Sequence, residues 1–294
     1  MNTPTPVHTP KSILITGGTG SFGQAFVRFL LANPSKIERI CIFSRGEHAQ
    51  AALRDAIGDN PLVRYMVGDI RDSQRLTRAC SGVDTIIHAA ALKRIEVGAY
   101  NPDEMVKTNV LGTMNVIEAA HVAGVKRVVG LSTDKAYQPV SPYGQSKALA
   151  ESLMLAANNM YGSRGPKFAV TRYGNIWNAQ GSVVPKWLAL VERRVPIQVT
   201  NPDCTRFYMT IDEAIGMVWD LANTYHNGLF IPDRLPAYRV GDLAQAFAEV
   251  FGILVKETGL PEFEKLHESM NEQLCSKDAR RYTKDDLVRI LQNV

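Results

Sequence analysis

Five short runs rich in Val, Ile and Leu recur through the first half of the chain: SILIT (12–16), RICIF (39–43), VRYMVGD (63–69), DTIIHAAA (84–91) and VKRVVGLST (125–133). Segments with apolar residues at helical spacing separate them, among them SFGQAFVRFLLAN (21–33) and NVLGTMNVIEAAHVAG (109–124). Strands buried on both faces read as continuous apolar runs, and alternation with helices makes βαβ units. The pattern predicts an α/β fold with a doubly wound parallel sheet. After about residue 175 the rhythm loosens. GSVVPKWLALVERR and MTIDEAIGMVWDLANTY read as helices, and PIQVT and GLFIP as short strands. We expect a first domain over 1–175, with part of 200–232 returning to it, and a smaller C-terminal cap over 176–294, above the sheet edge where open α/β sheets bind ligands.

Composition narrows the function classes. The chain has 294 residues, 45% apolar and 21% charged, and a formal charge of +4. That balance suits a globular protein with a small anionic ligand and gives no reason to expect nucleic acid. No apolar run approaches the ~20 residues of a membrane helix. The start, MNTPTPVHTPKS, is polar and reads as a loose tail over 1–11, without a signal-type apolar segment. Cys41, Cys80, Cys204 and Cys275 are scattered, as expected of reduced thiols in a cytoplasmic protein rather than disulfides or a metal site.

The first strand runs into ITGGTGSFGQAF, where Gly17, Gly20 and Gly23 are spaced three apart. Glycines between strand and helix allow a tight turn and close approach of a pyrophosphate to backbone N–H groups at the helix start. The expectation is a Rossmann-type dinucleotide site. At the tip of the second strand stand Ser44 and Arg45 rather than an acid. An arginine suits a ribose 2′-phosphate, so NADP is expected, with Glu47 keeping NAD open. Asp69, after the third strand, either meets the adenine amino group or caps a helix.

The stretch LSTDKAYQPVSPYGQSK holds Tyr137 and Tyr143. A tyrosine, with a pKa of about 10, needs help to act as a base. Tyr143 has Lys147 four residues on, on the same face of a helix, whereas Tyr137 has Ser141 there. Ser141 as N-cap and Pro142 at the first helical position place the helix start so that Tyr143 lies in its first turn. Tyr143 is the catalytic candidate.

With ITGGTGSFG, SRGE, GDIRD, IHAAALK, KTNVLGTMNV, LSTDKA, YGQSK, RYGN, GSVVP, TRFYMTIDE and EKLHE in order along residues 15–268, the chain resembles the extended short-chain dehydrogenase/reductases. Within them it looks most like the inverting UDP-N-acetylglucosamine 4,6-dehydratases, which supply surface glycan or nonulosonic acid synthesis. The resemblance implies a cytoplasmic, self-associating enzyme that acts on a UDP-sugar. It implies cofactor contacts from Gly17, Thr19, Gly20, Ser21, Phe22, Gly23, Ser44, Arg45, Asp69, Ile70, Ala89, Ala90, Ala91, Asn109, Tyr143 and Lys147. Tyr143 would take the sugar 4-hydroxyl proton, Lys135 the C5 hydrogen, and a protonated Asp134 would assist loss of the 6-hydroxyl. Thr133 would bond the 4-hydroxyl. Lys135 can serve as a base only if its surroundings lower its pKa. Lys93, Asn175, Val183, Arg206, Glu264 and His267 would contact the nucleotide sugar, with Arg206 on the diphosphate. The chain departs from its relatives in LPEFEKLHE, which lacks an Arg-Pro-Gly, in Tyr137 where a small residue is usual, and in Trp177 and Asn178.

Overall fold

The computed structural model describes residues 7–34 and 36–293. Among the described residues are twelve strands: β1 (Ser12–Thr16), β2 (Arg39–Ser44), β3 (Val63–Val67), β4 (Thr85–His88), β5 (Arg127–Leu131), β6 (Lys167–Thr171), β7 (Asn175–Ile176), β8 (Ile197–Val199), β9 (Thr205–Met209), β10 (Gly228–Phe230), β11 (Ala237–Arg239) and β12 (Val255–Glu257). Seven of them form one parallel sheet in the order β10-β6-β5-β4-β1-β2-β3. The order reverses at β1, which pairs β2 on one side and β4 on the other. That reversal opens a crevice at the strands' carboxyl ends.

Alternation along the strands builds a core on each face. Ile13, Ile15, Ile40 and Ile42 pack with Phe22, Phe26 and Leu30 on one side. Leu14, Cys41, Phe43, Ile86 and Val128 pack with Leu76, Val116 and Met154 on the other. Helix Ile211–Ala222 also lies on the first face, through Ile215, Val218 and Leu221. A third core joins Trp187, Tyr208, Tyr238, Phe247 and Leu287 beneath two small sheets, β11-β9-β7 and β12-β8.

Residues 7–11 are not a loose tail. Val7 bridges to Thr224, and buried His8 sets Nε2 2.8 Å from Thr85 Oγ1 and Nδ1 3.1 Å from the Tyr225 hydroxyl. Asp84 accepts the Lys11 and Ser12 amides and draws this segment to the sheet. The anchoring groups are far away in sequence, so local polarity misleads here. Residues 1–6 lie outside the described residues. Among those described, no helix is long and apolar enough to cross a membrane, and all four cysteines are free thiols.

Candidate active site

A cleft of about 1000 Å³ lies over the carboxyl ends of the parallel strands. Its floor is the turn after β1. Gly17 sits at φ +68°, and a Cβ there would come within 2.8 Å of the Ala90 backbone, so only glycine lets the loops after β1 and β4 meet. Helix Ser21–Ala32 opens on Gly20 with no side-chain cap, which leaves its first N–H groups facing the cleft. Thr19, Ser21, Gly23, Ala89, Ala90 and Ala91 line the same region. Phe22 and Ile70 also touch it, though both are mainly core residues. Uncapped amides, small side chains and a helix N-terminus fit a dinucleotide pyrophosphate.

At the β2 tip, Ser44 is buried and accepts a hydrogen bond from Gln50. Arg45 is exposed on the cleft rim and has no ion pair among the described residues. Glu47 is off the cleft wall, close to His48. Asp69 lines the cleft but caps no helix; Asp72 does that by accepting from the Arg75 amide. Burial works against the Asp69 charge, yet hydrogen bonds from Arg71 outweigh it and hold the carboxyl below its ordinary range.

Beyond the cofactor end, helix Pro142–Tyr161 begins where the sequence places it. Ser141 Oγ accepts the Gly144 amide and Pro142 holds the first helical position. Tyr143 therefore faces the cleft, and Lys147, one turn on, donates to the Leu131 carbonyl at 2.7 Å. Thr133 caps a short 3₁₀ turn, Asp134–Ala136, anchored by the Asp134 amide to the Tyr173 carbonyl. Thr133 donates to Asp134 Oδ1 at 2.9 Å, and Lys135 Nζ lies 3.0 Å from the same oxygen and 3.1 Å from Asn175 Oδ1. Thr133, Lys135 and Asn175 are on the cleft wall. Asp134 is fully buried behind them, and its Oδ2 has no hydrogen-bond partner among the described residues. Thr133 and Lys135 are the cleft-lining groups bonded to Asp134.

The charges are arranged differently from the simple expectation. Burial pushes the Asp134 carboxyl up, towards a protonated acid. Burial works against the Lys135 ammonium, but Asp134 and Glu268 outweigh it and raise its pKa, so these side chains do not supply the lowering that a base requires. Burial also pushes Tyr143 up to about 12, against the Lys135 charge and a Thr133 hydrogen bond. Lys147, committed to a backbone carbonyl, is pushed down by burial to about 8.

Other expected residues divide. Lys93, Val183 and Glu264 line the cleft, and burial lowers the Lys93 pKa. Arg206 reaches the wall, but its guanidinium already bonds Glu264 at 2.7 Å and the Thr205 and Leu266 carbonyls. Asn109 is off the wall. From a π-helical turn, Val106–Leu111, its amide clamps the Leu92 N–H and carbonyl and the Ser146 hydroxyl, which ties the Lys93 loop to the Tyr143 helix. His267 also misses the cleft wall; its Nδ1 sits 2.9 Å from Thr205 Oγ1. The member of EKLHE that reaches the Asp134–Ala136 turn is Glu268, with Oε1 3.3 Å from Lys135 Nζ. No local pattern marks it, because the contact joins segments brought together only by the tertiary fold. Phe263, directly before EKLHE, also lines the cleft.

Comparison with known proteins agrees with this architecture. A family model described as polysaccharide biosynthesis protein matches residues 13–290. The chain is 42% identical over 262 residues to the UDP-N-acetylglucosamine 4,6-dehydratase (inverting) of Campylobacter jejuni, across 88% of this chain and 77% of that one. It is 37% identical to a UDP-glucose 4-epimerase of Rickettsia bellii over the same shares. Among solved structures, the dTDP-glucose 4,6-dehydratase DesIV of Streptomyces venezuelae, with NAD and TYD bound, matches at a TM-score of 0.81 and 25% identity over 96% of each chain. A family match that runs through the glycine turn, the Tyr143 helix and the C-terminal cap alike means that this chain belongs to the polysaccharide biosynthesis protein family.

Proposed function

We propose that the protein is a nucleotide-sugar 4,6-dehydratase that acts on UDP-N-acetylglucosamine with inversion at C5 and uses NADP. The observation that carries this reading is the hydrogen-bonded Thr133–Asp134–Lys135 turn beside Tyr143: an acid and an amine next to the oxidising tyrosine. Loss of water from neighbouring carbons needs both. Tyr143 takes the proton of the sugar 4-hydroxyl, with Thr133 bonding the same oxygen. When bound, the nicotinamide supplies the hydride chemistry at C4 and C6. A ketone at C4 acidifies the C5 hydrogen, which Lys135 removes as its free amine. Asp134 passes its proton through the Thr133 hydroxyl to the departing 6-hydroxyl, and the proton that Tyr143 took is returned to the opposite face of C5, which inverts that centre. Unpaired Arg45 on the rim supports a 2′-phosphate, hence NADP. With Arg206 held by Glu264, a diphosphate in this cleft displaces that carboxylate. Exposed Met114 on helix Gly112–Val122, and Leu149 and Met160 on helix Pro142–Tyr161, support self-association there.

A 4-epimerase is the second reading, favoured by the Rickettsia relative at similar identity. An epimerase has no use for a base at C5, so Lys135 weighs against it. Incubation of the purified protein with UDP-N-acetylglucosamine in D2O, with NADP or NAD supplied in parallel, separates the two. Loss of one water, deuterium at C5, inverted C5 and faster turnover with NADP are expected. A product of unchanged mass, with only the C4 configuration altered, would make it an epimerase.

A further inference from the structure

Glu268 is a buried carboxylate that the steps above leave without a task. It is 2% exposed, with Oε1 3.3 Å from Lys135 Nζ and Oε2 3.3 Å from Lys265 Nζ. Its backbone is fixed on both sides: its amide donates to Ser276 Oγ at 2.9 Å and its carbonyl accepts the Ser276 amide at 2.8 Å. Ser276 Oγ in turn lies 2.6 Å from Thr205 Oγ1 on β9. The charged and titratable groups around it are Lys135 and Asp134 on the 3₁₀ turn, Arg206 on β9, Tyr143 on its helix and Lys265 on its own segment.

Lys135 Nζ faces three oxygens, on Asp134, Asn175 and Glu268. An amide oxygen is too weakly basic to take its proton. Asp134 has to enter the elimination already protonated, so it cannot take it either. Glu268 is what remains: its charge keeps the proton on Lys135 in the resting site, so the transfer to it is brief and is followed at once by uptake of the C5 proton. We propose that Glu268 is a positioning residue for the dehydration, the group that takes the ammonium proton of Lys135 and so frees the amine for C5. The proposal rests on the dehydratase reading. In this step the Nζ–H bond breaks, an Oε1–H bond forms, and the electron pair stays on nitrogen. Lys135 then takes the C5 proton, while the Asp134 proton leaves through Thr133 with the hydroxyl, as water. Two protons remain among the three groups, on Lys135 and Glu268; at the start there were two, on Asp134 and Lys135. Transfer from Lys135 to Asp134 across 3.0 Å and from Glu268 to Lys135 across 3.3 Å restores the starting state.

Glu268→Gln is the test, because the amide keeps the shape and an acceptor oxygen but cannot hold the proton. With UDP-N-acetylglucosamine in D2O, water loss and C5 deuteration should fall together by about a hundredfold, while KM stays near the wild-type value and Glu268→Asp recovers part of the rate. Wild-type turnover with an unmoved pH profile in Glu268→Gln overturns the proposal. Should that variant not fold, Lys265→Gln serves instead. With one cation fewer, Glu268 becomes more basic and the acidic limb of kcat/KM moves to higher pH; an unmoved limb overturns the proposal. If the wild-type protein itself neither loses water nor deuterates C5, the dehydratase reading has failed, whatever the variants do.

Discussion

Tyr143 and Tyr137 stand six residues apart, yet only one of them is placed for chemistry. Tyr143 faces the cleft beside Thr133. Tyr137 lies under Arg172, whose guanidinium carbon is 5.7 Å from the ring centroid, and its carbonyl accepts a 2.7 Å hydrogen bond from Lys265. Neither contact needs the Tyr137 hydroxyl, so Tyr137→Phe should dehydrate UDP-N-acetylglucosamine at close to the wild-type rate. Lys135→Ala should lose about a hundredfold or more, the usual scale for a missing acid or base, as read by water loss in the same assay. Full activity in Lys135→Ala would remove the C5 base assigned here. Tyr143 and Lys147 were legible because a cap and a four-residue spacing fix one helix face locally. Asp134 and Lys135 are neighbours in sequence, so their pairing was visible, but their charge states were not. Those depend on Glu268 and on burial, and both come from the tertiary fold.

One scale up, the site depends on how closely a helix can approach a turn. Helix Pro142–Tyr161 starts against the turn Asp134–Ala136, and a Cβ at Gly144 would overlap the Lys135 carbonyl oxygen. Gly144→Ala must push the two apart. The expected cost is about 1–3 kcal/mol of stability for overpacking, read as a lower Tm, with a fall in kcat that exceeds any change in KM because Lys135 and Tyr143 shift relative to each other. A variant with wild-type kcat would show that the turn absorbs the strain. The apolar runs foretold the first five strands and their helices, since period and glycine punctuation are local signals. The π-helical turn at Val106–Leu111 was not foreseen; its extra residue swings Asn109 onto Leu92 and Ser146, 17 and 37 positions away. Strands β9 and β11 were hidden for a similar reason: each is defined by its partner rather than by its own pattern.

For the molecule as a whole, stability should carry the signature of a histidine held neutral at the centre of the sheet. His88 ends β4, 3% exposed, with Nδ1 2.8 Å from Thr16 Oγ1 on β1 and Nε2 3.1 Å from Thr113 Oγ1 on helix Gly112–Val122. Burial, helped by the Lys147 charge, pushes its pKa down from 6.5 to about 3. The unfolded chain therefore takes up a proton below pH 6.5 that the folded chain refuses. Stability from this residue is complete above pH 6.5 and drains away as pH falls towards 3, by up to about 1.4 kcal/mol per pH unit. Asp84 adds to the loss lower down, because nearby His8 and hydrogen bonds from Thr85 and two backbone amides overcome its burial and hold its pKa below the ordinary value. Asp134, with its pKa raised by burial, slopes the other way: the folded chain keeps a proton that the unfolded chain releases above about pH 4. The total slope thus mixes opposing groups, and the informative quantity is the difference between the wild-type protein and His88→Asn. A pH-independent packing cost leaves that slope untouched. Between pH 6.5 and 4 the wild-type midpoint in urea should fall more steeply than that of the variant, and the two should run parallel above pH 7. Parallel curves throughout would mean that His88 takes up its proton without unfolding the chain, through a rearrangement of Thr16 and Thr113.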